Sequence, residues 1–234
     1  MILAAGQGKR MRPLTDNCPK PLLKVAGKPL IEHHIERLAR CGFTQLVINL
    51  AYRGEQIKEY LGTGERWGVE LCYSHESEAL ETGGGIFQAL PVLTESADSF
   101  LVVNGDIWCD LDYRCISLAK DDLAQLLMVD NPLHNPRGDF VFSDGRLSDI
   151  NPEVEKSASS LTFSGISILT AELFSGQQSS AFPLAPLLRQ AMLAGKVAGT
   201  HYAGHWVDVG TPQRLQQLEQ YLNGLSRGVE GESA

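Results

Sequence analysis

The sequence predicts an α/β fold in which a mostly parallel, mixed sheet is flanked by helices. Two observations predict it. Through the N-terminal half, short apolar runs alternate with segments of helical spacing. Glycine-rich turns follow several of these runs, at the strand ends where open α/β sheets bind ligands.

The elements follow in order. Met1–Ala5 is an apolar run that feeds a tight turn at Gly6 and Gly8. Pro29 to Arg40 places Leu30, Ile31, His34, Ile35, Leu38 and Ala39 on one face, and Gly42 ends the helix. Pro29 suits a first helical position because its missing N–H would have no partner there. Leu46–Leu50 is a short apolar run, hence a buried strand. Glu55–Leu61 reads as a helix stopped at Gly62, Val69–Tyr73 as a strand, and Ile86–Leu90 as a helix starting after a glycine run. Phe100–Val103 is a further buried strand. Beyond it, Gln125–Val129, Asp139–Phe142 and Leu161–Leu169 are strand-like, with a hairpin turn at Asp144-Gly145. Leu184–Leu193 is a helix, Val197–Tyr202 a strand and Pro212–Leu222 a last helix.

With 234 residues, 43% of them apolar, the chain supports one domain with a sizeable core. That domain is expected over 1–223, with a first half to about residue 110 and a second from about 111. Residues 224–234 are rich in Gly, Ser and Glu and are expected to be a disordered tail. Lys and Arg number 20 against 28 Asp and Glu, a net charge of −8. A nucleic-acid partner would call for a broad basic face. The cations here crowd around one glycine loop instead, which suits a small anionic ligand. Cys18, Cys41, Cys72, Cys109 and Cys115 are scattered and include no Cys-x-x-Cys pair. Neither a zinc site nor disulfides are expected, and a reducing cytoplasm is. No signal peptide, membrane-length apolar stretch or lipidation motif is read, so no membrane partner is expected.

The chemistry starts in the first loop. Glycines at 6 and 8 let backbone N–H groups approach an anion, and Lys9, Arg10, Arg12 and Lys20 supply charge to neutralise it. Pro19 and Pro21 stiffen the backbone around Lys20. A Walker A loop would need Ser or Thr after Gly8-Lys9, where Arg10 stands. The dinucleotide fingerprint would need a third glycine where Met11 stands. An ordinary turn with solvated cations is the alternative, disfavoured by the density of charge beside the glycines. Asp106 and Asp208 each close a short apolar run. Two such strand-end carboxylates can hold one Mg²⁺, a hard cation that prefers oxygen. Either alone reads equally as a turn or helix cap.

Leu3-Ala4-Ala5-Gly6-Gln7-Gly8-Lys9-Arg10-Met11-Arg12-Pro13-Leu14-Thr15, followed by Pro19-Lys20-Pro21-Leu22, resembles the signature loop of the sugar-1-phosphate nucleotidyltransferases. The likeness continues at Leu80–Gly85, Asn104–Asp106 and Trp206–Thr211, to about residue 215. It implies a Rossmann-like, nucleotide-diphospho-sugar transferase (GT-A-like) fold, Mg²⁺ as cofactor, and UTP and a sugar 1-phosphate as substrates. By the same resemblance Arg10, Lys20 and Asp106 are catalytic, and Asp106 and Asp208 hold the metal. Leu3, Ala4, Ala5, Gly6, Gly8, Lys9, Arg10, Lys20, Thr82, Gly83 and Asp106 would face the nucleotide. Asn104, Gly138, Asn151, Glu153, Gly165 and Asp208 would face the sugar; the family's usual Glu-Lys-Pro has no clean match here, and Asn151 or Glu153 stands in that region. A guanylyltransferase acting on mannose 1-phosphate is the alternative within the family. A silent nucleotide-sugar-binding homologue is the alternative outside catalysis. By the resemblance a few residues are expected ahead of the first strand, so Met1 inside that strand reads as either a trimmed start or a misassigned start codon.

Overall fold

The computed structural model describes residues 1–150 and 159–231, with side chains described to residue 225. The strands are β1 (Ile2–Leu3), β2 (Lys24–Val25), β3 (Lys28–Pro29), β4 (Gln45–Leu50), β5 (Glu70–His75), β6 (Ser99–Asn104) and β7 (Ile107–Cys109). They continue with β8 (Ala124–Val129), β9 (Phe140–Ser143), β10 (Arg146–Asp149), β11 (Ser160–Thr170), β12 (Val197–His201) and β13 (Trp206–Asp208). The helices are α1 (Leu30–Arg40), α2 (Gly54–Leu61), α3 (Glu81–Leu93), α4 (Ala185–Leu193) and α5 (Pro212–Gly231).

Two compact units emerge, each built from separated segments. A loop unit takes Ile2–His75, Gly105–Asp110 and Trp206–Ala234; a sheet unit takes Met1, Glu76–Asn104 and Leu111–His205. The expected division near residue 110 is thereby corrected. Its physical reason is an apolar cluster of Met11, Leu23, Val25, Leu30, Trp108, Val209 and Leu218, which ties the C-terminal helix to the N-terminal segment.

In the loop unit, β1 and β4 pair in parallel with Ile2 opposite Ile48, and β4 and β5 pair in parallel with Ile48 opposite Tyr73. Five of the six β4 residues are buried, as a strand covered on both faces requires. Asn49 interrupts that run for a reason: it is buried, and its Oδ1 accepts the Ala4 N–H at 2.7 Å. β7 and β13 form an antiparallel pair with Asp208 opposite Ile107. On α1 the buried residues are Leu30, Ile31, His34, Ile35 and Leu38, the face read from the spacing.

His34 is 3% exposed, and its Nε2 has no hydrogen-bond partner among the described residues. Burial pushes its pKa down from 6.5 to about 4, against a smaller opposing pull from a hydrogen bond to the Ile107 backbone. The folded chain therefore refuses a proton that the unfolded chain takes up near pH 6.5. Stability tied to this group is complete above that pH and drains as pH falls towards about 4. The loss amounts to about 3 kcal/mol, since each pKa unit is about 1.4 kcal/mol. Urea melts of the wild type and His34→Gln across that window are expected to show a shallower pH slope in the variant.

The sheet unit orders its strands β6-β11-β8-β12-β10-β9. β11 runs antiparallel to both β6 and β8, whereas β12 runs parallel to β8. Both units thus contain parallel and antiparallel pairs. All six residues of β8 are buried, including Gln125, whose Nε2 donates to Thr200 Oγ1 at 3.0 Å. The β9–β10 hairpin turns at Asp144 and Gly145, both at positive φ, the turn that matches strand twist. β11 shifts register between Phe163 and Ser167, around Gly165 at φ 82°.

Two expected boundaries are corrected. The Gly83–Gly85 run is not a loop before a helix at 86; it forms the first turns of α3. Close packing explains the glycines. A Cβ on Gly83 would strike the Phe182 ring at 2.5 Å, and one on Gly84 would strike the Ser180 carbonyl. Gly84→Ala is accordingly expected to lower the melting temperature by several degrees, because the obstacle is backbone that cannot swing aside. A wild-type melting curve would show that the 180–182 segment yields. The second correction concerns the tail: α5 runs on through Asn223 and Gly224 to Gly231, so residues 224–231 are helical rather than disordered. Each glycine within a helix costs only about 1 kcal/mol, and neither Gly224 nor Gly228 stops it.

Candidate active site

The loop unit assembles the charged residues expected to act together. Gly8 sits at φ 61°, and a Cβ there would press on Thr15 Cγ2 at 3.0 Å and on Lys20 Cβ at 3.2 Å. Both constraints select glycine, and its absence of side chain lets the loop lie across the Lys20 stem. A tight turn over Lys9–Met11 follows. Met11 is fully buried in the apolar cluster, which leaves Lys9 and Arg10 exposed. Arg12 instead pairs with Asp16 across the loop surface at 3.3 Å.

Lys20 is the buried cation of the site. Its side chain is 9% exposed, and Nζ donates to Asp106 Oδ2 at 2.8 Å. Prolines on both sides are buried and hold it in a tight turn over Lys20–Leu22. Asp106 itself is placed by Gly105, whose N–H donates to the Leu3 carbonyl at 2.9 Å. A Cβ on Gly105 would meet that carbonyl oxygen at 2.5 Å, so only glycine allows this seat beside β1. The Asp106 carbonyl then accepts the Val209 N–H at 2.8 Å, joining the segment just after Asp208. The β7–β13 ladder sets Asp208 opposite Ile107, the residue that follows Asp106.

Asp208 is held by Arg214, a residue missed at the sequence level. Arg214 Nη1 donates to Asp208 Oδ2 at 2.8 Å, with both side chains mostly buried. Gly210 makes room for the pair: a Cβ there would collide with the Arg214 guanidinium and lie 3.0 Å from Asp208 Oδ1. Asp208 ends a strand and Arg214 lies in the helix that follows, so periodicity within one element carried no signal for this contact. Asn49, also missed, did leave one, as the polar residue within an apolar run.

The anchoring logic is common to these positions. Met11, Trp108 and Val209 share one buried cluster and sit next to Arg10, near Asp106 and next to Asp208. Trp108 is further held edge-on by Tyr221 and capped by the Arg37 guanidinium. The candidate side chains thus project from backbone fixed by apolar neighbours. The donor set fits a hard divalent cation: two carboxylates, Asp106 in the turn that leads into β7 and Asp208 on β13, with Lys20 against the first and Arg214 against the second. Among the described residues no group of three or more His, Cys, Asp or Glu forms a metal cage. A two-carboxylate site matches Mg²⁺, which keeps water and phosphate oxygens as its remaining ligands.

The remaining expected residues lie in the sheet unit. Thr82 is exposed, while Gly83 is buried beneath Phe182. Gly165, at the β11 bulge, accommodates the Asn104 side chain, whose Nδ2 lies 2.6 Å from where a Cβ would be. Gly138 is at φ 67° against the Leu161 carbonyl and Asn131, so internal packing accounts for it. Asn151 and Glu153 lie outside the described residues. No helix among the described residues is long and apolar enough to cross a membrane.

Comparison with known proteins agrees with this geometry. A family model described as nucleotidyl transferase matches residues 1–223. The chain is 49% identical to an N-acetylmuramate alpha-1-phosphate uridylyltransferase of Neisseria meningitidis serogroup B, covering 94% of this chain and 96% of that protein. It is 32% identical to the protein of the same name from Caulobacter vibrioides, covering 95% and 96%. It is 29% identical to a mannose-1-phosphate guanylyltransferase catalytic subunit beta of Drosophila pseudoobscura pseudoobscura, covering 96% of this chain and 62% of that protein. Among solved structures, HddC from Yersinia pseudotuberculosis superposes with a TM-score of 0.76 at 24% identity, covering 94% and 97%. A UDP-glucose pyrophosphorylase complexed with UDP-glucose gives 0.74 at 16% identity, covering 95% and 97%. These two likenesses establish the α/β nucleotide-diphospho-sugar transferase fold. The signature loop, its anchored carboxylates and the near full-length match together place the chain in the nucleotidyl transferase family.

Proposed function

We propose that this chain transfers the uridylyl group of UTP to N-acetylmuramate 1-phosphate, forming UDP-N-acetylmuramate and pyrophosphate. The observation that carries the substrate choice is 49% identity, over nearly the full length of both chains, to the uridylyltransferase of Neisseria meningitidis. In the reaction a phosphate oxygen of the sugar ester attacks the α-phosphorus of UTP, and the bond from that phosphorus to the β-bridging oxygen breaks. The nucleophile is already an anion at neutral pH, so no general base is needed. Catalysis then rests on positioning and on neutralising charge.

The residues divide these tasks. The loop from Ala5 to Gly8 offers backbone N–H groups, and exposed Lys9 and Arg10 offer charge to the departing phosphates. Buried Lys20 offers a fixed ammonium beside Asp106. Asp106 and Asp208 would hold Mg²⁺, which when bound supplies neutralising charge at phosphate oxygens. Thr82 and Gly83 are assigned to the nucleotide, and Asn104 and Gly165 to the sugar, as are Asn151 and Glu153. The cellular setting that this chemistry implies is cytoplasmic recovery of muramate for the peptidoglycan wall. A silent homologue is disfavoured, because Arg10, Lys20, Asp106 and Asp208 are all present.

The test is pyrophosphate release from UTP, GTP, CTP, ATP and dTTP. Each is paired with the 1-phosphates of N-acetylmuramate, N-acetylglucosamine, glucose and mannose, with and without Mg²⁺. Mg²⁺-dependent release from UTP with the muramate ester is expected. Turnover of GTP with mannose 1-phosphate alone would overturn the substrate, and silence throughout would overturn the activity.

A further inference from the structure

We infer that Tyr52 and Arg53, at the end of β4, are positioning residues that brace the phosphate loop for the nucleoside triphosphate. The inference rests on the proposed nucleotidyl transfer. Arg53 is one of few non-glycine residues at positive φ, at φ 52° and ψ 33° immediately before α2. Side chains avoid this region, so something must hold the residue there.

What holds it is a chain of contacts leading to Gly8. Arg53 Nη2 donates to the Asp16 carbonyl at 2.7 Å, and Nε donates to the Tyr52 hydroxyl at 3.1 Å. The guanidinium also lies 5.5 Å from the Tyr52 ring centroid. The Tyr52 hydroxyl donates onward to the Thr15 carbonyl at 3.0 Å. Thr15 is 1% exposed, and its Oγ1 donates to the Gly8 carbonyl at 2.9 Å. Its Cγ2 limits the Gly8 backbone from the same side. Three residues upstream of Tyr52, Asn49 holds the Ala4 N–H at the other end of the loop. One short segment therefore grips the loop before its first glycine and behind its second. Backbone N–H groups bind phosphate well only if they are aimed before the ligand arrives, because aiming them on binding costs affinity. The left-handed turn at Arg53 is what points its guanidinium back at Asp16.

Kinetics of three variants test this, with Mg²⁺, UTP and N-acetylmuramate 1-phosphate as substrates. Tyr52→Phe removes one hydroxyl. Arg53→Gly removes the guanidinium but relieves the backbone. Arg53→Lys keeps the charge without the planar fork. Tyr52→Phe and Arg53→Gly are expected to raise KM for UTP about tenfold, as loss of one good hydrogen-bonded brace implies. KM for the sugar ester should stay within twofold, roughly the scatter of independent sites. Arg53→Gly should melt no lower than wild type, because glycine accepts the left-handed turn freely. Arg53→Lys should resemble Arg53→Gly in KM for UTP. Unchanged KM for UTP in Tyr52→Phe and Arg53→Gly would overturn the inference. So would equal rises in both KM values with a lowered melting temperature, the pattern of a merely structural segment. A wild type silent with every triphosphate and sugar ester would overturn the proposed function, and this inference with it.

Discussion

Asp106→Asn is expected to lower turnover about a thousandfold or more while leaving the fold in place. The carboxylate is 41% exposed, at a turn fixed from behind by Gly105 and Leu3, so an amide of the same shape fits the same seat. What changes is charge. In the proposed reaction, negative charge develops on the leaving pyrophosphate, and Asp106 is one of two carboxylates that would recruit Mg²⁺ to offset it. Losing several kcal/mol of that stabilisation corresponds to about a thousandfold, at about 1.4 kcal/mol per decade. Asp208→Asn should be comparably damaging, because in the proposed reaction Asp208 would be the second carboxylate for Mg²⁺, and it lies opposite the residue that follows Asp106. The fold is checked separately by thermal melting. Asp106→Asn leaves the Lys20 ammonium facing a neutral amide, which costs about 1–3 kcal/mol for a pair half shielded from water. A variant that melts cooperatively and has lost turnover fits the assignment. A variant with wild-type turnover removes Asp106 from the chemistry.

Much of this site was legible from sequence because its residue types are locally forced. Gly8 needs both a left-handed backbone and empty space, and only glycine meets both. Gly105 needs empty space against a backbone carbonyl. Such positions announce themselves in a bare sequence, as do acidic residues that terminate apolar runs. The apolar face of α1 was legible for the same reason, since helical spacing directly encodes burial. Residues whose role depends on distant partners left weaker marks. Arg214 reads as one more cation in the first turn of a polar helix, and only the folded chain sets it against Asp208 over Gly210. Tyr52 and Arg53 follow a strand at ordinary loop positions, and the backbone angle that aims Arg53 is invisible in sequence. Gly83–Gly85 misled, because glycine runs signal flexibility as readily as close packing; Phe182 and Ser180 decide between them from a hundred residues away. The compact units were hidden too, because an apolar cluster joining Met11 to Leu218 outweighs nearness along the chain.

Lys20→Met should produce two effects of opposite sign, and that opposition is its diagnostic value. In the free chain the ammonium neutralises Asp106 at 2.8 Å. Any divalent cation arriving at Asp106 must compete with it. Methionine keeps the buried stem packed beneath Gly8 but removes the charge, so Mg²⁺ without nucleotide should bind Lys20→Met more tightly than wild type. Turnover should nevertheless fall by about a hundred- to a thousandfold, the usual cost of removing one fixed, partly desolvated donor from a developing negative charge. Titration calorimetry with Mg²⁺ reads the first effect, and pyrophosphate release at saturating Mg²⁺ reads the second. Arginine is no substitute, because its larger planar head does not fit a side chain that is only 9% exposed between two buried prolines. If Lys20→Met loses both Mg²⁺ binding and turnover, the lysine is needed to shape the carboxylate site. If it keeps wild-type turnover, the buried pair is structural, and the charge that drives the reaction comes from the exposed loop cations alone.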